Sequence, residues 1–404
     1  MAHRCARGDR LGHHRGPGCH RDHLLRHPEN SQTRSILPRT TGDRGMSMTI
    51  SFCIPTYDKG PYLDAALASI VKQAKGEHSR RIEICISDNA STDDTGDIVR
   101  KWQGGSPIPI RYHRNDRNRG FSYNLFQAIS MARHDYCWIL GSDDAIGEDG
   151  VSRIFEEVAT GHDLYLCNRL LCDRDLVPSH PDRYLEEIDE ARSFHLGDRK
   201  ELEEYFRVAR TLDAFFCFIS SLIVRREIFE GVVLDDFLLA NVFPHVYTIL
   251  RRIAGHPSFR MKYIPEPLVR WRGDNSSFEG EGTVVRTYRN FHDLALIADR
   301  LYPPVSRLHR RFKAVLRRNL TLFMQLRAQL SLRTEQERNY RRETILLLAY
   351  PPPTRFFLLH LFPPPGMVRV GHRFYRKIKE LHGQERRHPS GEALMAPKGG
   401  ESGR

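Results

Sequence analysis

The sequence has no cysteine pair spaced for a metal site or a disulfide framework. Its 404 residues include eight cysteines, and none of them forms a Cys-x-x-Cys motif. Cys53, Cys85 and Cys137 lie inside apolar runs, where a reduced cysteine behaves as a small hydrophobic residue. These observations argue against a zinc ribbon or a disulfide-stapled domain, and they indicate a reducing compartment.

Long apolar stretches are also missing. No run of about 18 uninterrupted apolar residues occurs, so the sequence predicts no conventional transmembrane helix. The N-terminus is basic but lacks the apolar central region of a signal peptide. We therefore expect the protein in the cytoplasm.

The charge is not balanced. The chain carries 62 Lys and Arg against 50 Asp and Glu, a net charge of +12. Such a charge permits nucleic acid, an anionic membrane surface or a phosphorylated substrate as a partner. The excess lies in the N-terminal tail and the predicted C-terminal helices, without the interleaved aromatics of a nucleic-acid-binding sheet. A nucleic-acid binder is therefore a weak alternative, and we expect no nucleic acid.

Both ends of the chain are predicted to be disordered. Residues 1–45 form a basic tail rich in Arg, His, Gly and Pro, and residues 384–404 form a polar tail. The histidines of the first tail could alternatively be a metal-binding tract. Met46 and Met48 precede the first strand-like run, so translation is expected to start at one of them.

Residues 46–280 are predicted to form an α/β domain. Four apolar strand-like runs alternate with helical patterns; they are Thr49–Pro55, Ile82–Ser87, Ile108–Tyr112 and Tyr136–Leu140. Near-continuous apolar strands of this kind predict a Rossmann-like, mostly parallel sheet with helices on both faces. Ligands bind such sheets at the carboxyl ends of the strands.

The second half of this domain is predicted from weaker patterns. The expected elements are strands at Asp163–Cys172, Phe215–Val224 and Lys262–Trp271 and a helix at Phe237–Ile253. Pro265 and Pro267 predict that the last strand lies at an edge of the sheet, because proline cannot donate to a ladder.

Residues 281–383 are predicted to be helical. Arg307–Leu332 has apolar residues at helical spacing, with arginines at the other positions. Short apolar segments follow at Ile345–Tyr350 and Phe356–Phe362. A basic amphipathic helix with such segments is typical of an element that lies on an anionic membrane surface. The alternative is a helical subdomain that packs on the catalytic core, and both can hold together.

The run Tyr136–Leu140 ends at two adjacent carboxylates, Asp143 and Asp144. Packing does not explain them, because unpaired buried charges are costly. Hard oxygen ligands at a strand end suit Mg²⁺ or Mn²⁺, and these ions usually arrive with substrate phosphates. The alternative is an Asp-Asp turn that caps the following helix.

Polar loops follow all four strands of the predicted parallel sheet. They comprise Pro55–Asp58, Asp88–Thr95, Arg114–Gly120 and the Asp143–Asp144 pair. Loops at successive carboxyl ends converge on one rim of the sheet. The pattern favours a site for a ligand with many hydroxyls and a phosphate.

Four segments occur in the order and at the spacing of a known family. They are FCIPTY at 52–57, ISDNASTDDT at 86–95, NRGFSYN at 118–124 and YCWILGSDD at 136–144. Together they resemble an inverting-type GT-A glycosyltransferase of family 2, in the abequosyltransferase-like branch of O-antigen and exopolysaccharide assembly. Ser142 departs from the pattern of the branch, in which an additional Asp is common.

The resemblance implies a role for each loop. The loop Pro55, Thr56 and Tyr57 contacts the nucleoside, and Asp88 accepts hydrogen bonds from the base or ribose, with a helix cap as its alternative role. Asp143 and Asp144 hold the divalent cation that bridges the diphosphate. The pocket that surrounds the nucleotide is lined by Asn118, Gly120 and Asn124.

The catalytic base has no direct match. The family often carries it in a Glu-Asp pair that opens a helix, and the corresponding region here reads NVFPHVY at 241–247. His245 is the predicted substitute because its ordinary pKa suits proton transfer at neutral pH. A structural or metal-binding histidine is the other possibility, and Asp235 and Asp236 are alternates. Arg270 and Arg272 either contact phosphate or are solvated.

The resemblance implies transfer of a sugar from a nucleotide-diphosphate donor to a hydroxyl of a glycan or a lipid-linked acceptor. The acceptor belongs to bacterial surface polysaccharide synthesis, and the enzyme would lie against the inner face of the plasma membrane. A sugar-nucleotide-binding protein without catalysis is the main alternative, because the Glu-Asp pair is missing.

Overall fold

A computed structural model describes residues 48–273, 282–332 and 334–361, together with residues 367, 370 and 373. Both predicted tails lie outside the described residues, and so does the predicted domain boundary near residue 280. Met46 lies outside them as well. The described residues, from Met48 onward, belong to one compact unit.

Ten strands form one sheet. In chain order they are β1 (Ile50–Thr56), β2 (Ile82–Asp88), β3 (Ile110–Arg114), β4 (Tyr136–Ile139), β5 (Ala145–Ile146), β6 (Leu164–Cys172), β7 (Pro178–Pro181), β8 (Arg192–Phe194), β9 (Leu222–Arg225) and β10 (Met261–Arg272).

Twelve α-helices are described. The first seven lie between strands in the sequence, and the last five come after the last strand. They are α1 (Gly60–Val71), α2 (Thr95–Gly105), α3 (Gly120–Ser130), α4 (Gly150–Val158), α5 (Arg199–Val208), α6 (Asp236–Ala240), α7 (Pro244–Gly255), α8 (Gly282–Leu301), α9 (Arg307–Asn319), α10 (Leu322–Ser331), α11 (Glu335–Leu347) and α12 (Pro352–Phe356). None of these described helices is both long and apolar enough to cross a membrane.

The first half of the sheet is parallel. Its strand order is β3-β2-β1-β4, and the β1–β2, β1–β4 and β2–β3 pairings are all parallel. Every residue of β1, β2 and β4 is buried, which agrees with strands covered on both faces. The predicted order of strands and helices is confirmed, and the carboxyl ends of the four strands lie at one rim.

The second half of the sheet is mixed. The order continues β9-β6-β10-β5; β9 is antiparallel to β4 and to β6, whereas β10 is parallel to β6. The prediction of an edge strand at β10 is wrong, because β8 and β5 pair with its other side. Pro265 and Pro267 are tolerated because they lie between these two short partners, where the register with β6 also shifts.

Three predicted elements are shorter than expected. The strand predicted at Phe215–Val224 is regular only from Leu222, after two short 3₁₀ turns. The helix predicted at Phe237–Ile253 is two helices, because Pro244 begins α7. The helix predicted at Arg307–Leu332 also divides, because the Thr321 side chain caps the start of α10.

The C-terminal helices share a hydrophobic core with the sheet. On α9, the apolar side chains Leu308, Phe312, Val315 and Leu316 are buried. The ring of Phe312 stacks on Phe215, with ring centroids 4.0 Å apart. The apolar face of this amphipathic helix is therefore covered by protein, as the packing alternative predicts.

Candidate active site

The two acids that follow β4 lie in the turn between β4 and β5. Asp144 is buried, and both of its carboxylate oxygens accept hydrogen bonds from the second half of the chain. The Ser220 hydroxyl donates to Oδ2 at 2.5 Å, and the backbone amide of Arg272 donates to Oδ1 at 3.2 Å. The end of β10 and the turn before β9 therefore hold this carboxylate in place.

Two carboxylate oxygens of this turn and the Ser220 hydroxyl converge over Gly141. A Cβ added to Gly141 would lie 2.8 Å from Asp144 Oδ2, 3.2 Å from Asp143 Oδ1 and 3.3 Å from Ser220 Oγ. Only a residue without a side chain leaves this space open. Two carboxylates and a hydroxyl form the hard oxygen donor set that Mg²⁺ and Mn²⁺ prefer, so the residues fit such an ion.

Two basic residues adjoin the acids. Lys59 Nζ lies 3.6 Å from Asp143 Oδ2, just before α1. The Arg272 guanidinium donates to the backbone carbonyl of Asp143 at 2.8 Å and lies over the Tyr62 ring. Arg272 is therefore part of the site. Arg270 is not, because its partner is the exposed carboxylate of Glu148 at 3.0 Å.

Burial raises the pKa of both acids. Burial, with the neighbouring charge of Asp143, raises the pKa of Asp144 to about 7. Burial also raises the pKa of Asp143, and the positive charge of Lys59 opposes that shift. A bound cation would favour the ionised form of both carboxylates. Among the described residues, no group of three or more His, Cys, Asp and Glu is placed to hold a metal ion.

The predicted nucleoside loop ends β1. Pro55 and Thr56 are buried, and Tyr57 is 43% exposed. Thr56 Oγ1 is enclosed and has no hydrogen-bond partner among the described residues, which is unusual for a buried hydroxyl. The loop after β2 holds this loop in place, because Asp58 Oδ1 accepts from the Thr92 amide at 2.6 Å.

Asp88, at the end of β2, is fully buried. Its Oδ1 accepts from the amide and the hydroxyl of Ser91, at 2.8 and 2.5 Å. Its Oδ2 accepts from the Tyr112 hydroxyl at 2.6 Å, and the Arg114 guanidinium lies 3.6 Å away. Asp88 therefore orders the loop after β2 and links it to β3.

Four asparagines connect the same strand ends. Asn124 is buried, accepts from Ser87 and Asn115, and donates to the Thr56 carbonyl at 3.1 Å. The exposed Asn118 accepts from Asn89 at 2.7 Å and from the Gly120 amide at 2.9 Å. Gly120 has φ +82°, which favours glycine. The predicted pocket residues are thus brought together, and the sequence interpretation missed Asn89 and Asn115.

His245 lies on α7 with 1% of its surface exposed. Its Nε2 donates to the Phe216 carbonyl at 3.0 Å, and its Nδ1 is enclosed without a partner. Burial lowers the pKa of His245 to about 4. These surroundings argue against the predicted role as catalytic base, because neither nitrogen can reach an acceptor hydroxyl.

The two alternates lie at the start of α6. The Asp235 side chain caps this helix by accepting from the Leu238 amide at 2.9 Å. Asp236 is the first residue of the helix and is exposed. A cavity of about 560 Å³ borders Asp235, Tyr247 and Arg251, and none of the predicted nucleotide or metal residues lines it. The polar rim and this cavity are therefore different places on the protein.

Comparisons with known proteins agree with the resemblance seen in the sequence. The protein-family model described as "Glycosyl transferase family 2" matches residues 51–232. Abequosyltransferase RfbV of Salmonella typhimurium is 38% identical over 271 residues, which cover 67% of this chain and 80% of that protein. The chain belongs to glycosyl transferase family 2. It is therefore a glycosyltransferase that takes its sugar from a nucleotide donor, and the predicted abequosyltransferase-like branch is confirmed.

More distant relatives agree on the fold. Glycosyltransferase GlyG of Streptococcus pneumoniae is 29% identical over 114 residues, or 28% of this chain and 36% of that protein. The crystal structure of S. aureus TarS 1–349 in complex with UDP has a TM-score of 0.54 at 17% identity, and the match covers 84% of this chain and 92% of that one. This likeness confirms the predicted GT-A fold.

Proposed function

We propose that this family 2 enzyme transfers a sugar from a nucleoside-diphosphate donor to a hydroxyl of a growing bacterial surface glycan. The observation that carries the proposal is the convergence of Asp143, Asp144 and Ser220 over Gly141 at the carboxyl end of β4. The 38% identity to an abequosyltransferase supports a glycan or lipid-linked acceptor.

In this proposal the nucleotide lies along the rim of the parallel strands. Pro55, Thr56 and Tyr57 contact the nucleoside, and the exposed ring of Tyr57 is accessible to it. Asp88 and the asparagines position the surrounding loops. The nucleotide pocket is formed by Asn118, Gly120 and Asn124.

Asp143 and Asp144 would hold Mn²⁺ or Mg²⁺, which supplies neutralisation of the charge that develops on the departing diphosphate. Lys59 lies 3.6 Å from Asp143 and would add a second positive charge close to the metal ion. The Ser220 hydroxyl and the Arg272 amide keep the Asp144 carboxylate oriented, and the Arg272 guanidinium holds the backbone carbonyl of Asp143. Groups that are oriented in advance toward the diphosphate oxygen, where negative charge develops, stabilise the transition state without reorganising during the reaction.

The test is a panel of UDP-, GDP-, CDP- and dTDP-linked sugars with Mn²⁺ or Mg²⁺, read by release of nucleoside diphosphate. Octyl glycosides of common hexoses serve as acceptors, and reactions without an acceptor measure hydrolysis. We expect turnover of at least one donor by the wild type and none by Asp143→Asn. Tight nucleotide binding without turnover of any donor would favour the non-catalytic alternative.

We also propose that the enzyme lies on an anionic membrane surface, where lipid-linked acceptors are found. Two groups of apolar side chains support this: Leu322 and Phe323, 54% and 71% exposed, and Phe356 and Phe357, 57% and 42% exposed. The exposed Arg355 adjoins the second group. Exposed aromatics beside a cationic side chain are typical of interfacial elements.

Vesicle flotation tests this location. Vesicles of phosphatidylcholine with phosphatidylglycerol are expected to bind the wild type, and Phe323→Ser with Phe356→Ser is expected to weaken binding at least about tenfold. Val233→Ser is the matched control, because Val233 is 80% exposed before α6. Equal binding of all three proteins would contradict a membrane role for these side chains.

A further inference from the structure

A buried arginine near the end of β6 holds two carboxylates that the mechanism above does not use. Arg169 Nη2 lies 2.8 Å from Asp182 Oδ2 and 2.9 Å from Asp213 Oδ2. The three side chains are 16%, 22% and 17% exposed, so each still reaches the surface. Packing alone does not explain three charged groups at such a position.

Aromatic rings surround the same guanidinium. Its carbon lies 4.6 Å from the ring centroid of Phe218 and 5.3 Å from that of Trp271. Both rings are only partly buried. Partly exposed aromatic rings beside carboxylates are groups that bind sugars, since the rings pack against C–H faces and the carboxylates accept hydroxyl hydrogen bonds.

This cluster adjoins the metal-binding acids. Phe218 lies two residues before Ser220, whose hydroxyl donates to Asp144. Trp271 immediately precedes Arg272, whose amide donates to the same carboxylate. The charge of Arg169 also acts on Asp144 by lowering its pKa, against the larger effect of burial. The cluster therefore lies beside the point at which the donor sugar would be attacked.

We propose that Phe218, Trp271, Asp182 and Asp213 bind a sugar ring of the acceptor, and that Asp213 is the catalytic base. The acceptor oxygen forms a bond to the anomeric carbon of the donor. The bond between that carbon and the diphosphate oxygen breaks, and its electron pair leaves with the diphosphate. The hydroxyl proton passes to Asp213 Oδ1. This inference rests on the proposed transferase function.

Asp213 suits this role better than His245. Its Oδ1 accepts no hydrogen bond from the described residues, whereas Oδ2 is held by Arg169. Burial raises the pKa of Asp213, and Arg169 offsets the shift in part. A carboxylate with a raised pKa is a stronger base than an ordinary one. Asp213 also lies in the same segment as Phe218 and Ser220, and its partner Arg169 contacts the rings of Phe218 and Trp271.

The experiment compares Asp213→Asn with the wild type, using the full chain and the donor and octyl glycoside that give turnover in the panel. We expect turnover at saturating substrates to fall by at least about 100-fold. Affinity for the nucleoside diphosphate in Mn²⁺ should change less than about threefold, because the donor site is intact. Asp163→Asn is the matched control: Asp163 pairs with Arg225 at 3.6 Å at the opposite end of β6, so turnover should stay near that of the wild type.

Trp271→Ala provides a second test, which changes none of the charges around Arg169. It should raise the KM for the acceptor at least about tenfold and leave the KM for the donor unchanged. Asp213→Asn turnover within about threefold of the wild type would overturn the assignment of the base. An unchanged acceptor KM in Trp271→Ala would overturn the acceptor site. A wild type that turns over no donor would instead contradict the proposed transferase function.

Discussion

The Ser220 hydroxyl donates to Asp144 Oδ2 at 2.5 Å and accepts from the Gly141 amide at 2.9 Å. This one side chain therefore connects the turn before β9 to both ends of the turn that carries the acids. Asp144 does not depend on its own loop for its orientation. The antiparallel strand that makes the sheet mixed also completes the site.

Ser220→Ala is predicted to weaken binding of a nucleoside diphosphate in Mn²⁺ by roughly 10- to 100-fold, which is the usual effect of losing a partner of a metal ligand. Isothermal titration calorimetry measures it. Ser51→Ala is a matched control, because Ser51 is also buried and donates to the carboxylate of Glu83 at 2.7 Å, away from the site. Equal affinities in the two variants would show that Ser220 is only a packing residue.

His245→Gln is predicted to retain most of the transferase activity, since His245 is enclosed and bonded to the Phe216 carbonyl. Turnover in the nucleotide-sugar assay checks this. A loss comparable to that of Asp143→Asn would restore His245 as the base.

His245 should instead affect stability in acid. Its folded-state pKa, about 4, is below the reference value of 6.5, so the unfolded chain takes up a proton that the folded chain refuses. The stabilisation is complete above pH 6.5 and is lost as the pH falls toward 4. Between pH 7 and pH 4 the wild type should lose about 3 kcal/mol more unfolding free energy than His245→Gln. Parallel pH dependences of urea unfolding would contradict this.

Phe312→Ala is predicted to destabilise the whole protein by about 3–5 kcal/mol, because its fully buried ring stacks on Phe215. Phe323→Ala should change the unfolding free energy by less than about 0.5 kcal/mol, since Phe323 is 71% exposed. Urea unfolding of both variants measures the contrast. Similar effects would mean that α9 is not part of the common core.

The parallel half of the sheet and its rim could be predicted from the sequence because their signals are local. The runs that became β1, β2 and β4 are mostly apolar and wholly buried; Asp88 ends β2, and Asp144 lies in the turn after β4. Pro61 in the first turn of α1 is another local signal, because proline is tolerated at that position of a helix.

The rest of the site depends on contacts between distant parts of the chain. Ser220 is 76 residues from Asp144, and nothing around it differs from an ordinary serine in a turn. Trp271 reaches Arg169 because β10 pairs with β6, and Phe218 reaches it from the segment before β9, which also pairs with β6. For His245, the spacing from a family motif predicted a position in the sequence. It did not predict that the side chain is buried, and this burial decides what chemistry the side chain can do. The prolines of β10 led to a wrong edge-strand prediction for the same reason. The strands β5 and β8, which pair with the second side of β10, are short and distant in sequence.

The most direct measurement is the affinity for a nucleoside diphosphate with Mn²⁺ and with EDTA, in the wild type, Asp143→Asn and Asp144→Asn. The wild type should bind at least about tenfold more tightly with Mn²⁺, and both variants should lose this difference while their affinity in EDTA is unchanged. Equal wild-type affinities in Mn²⁺ and EDTA, or a difference that both variants retain, would contradict a metal site at the carboxyl end of β4.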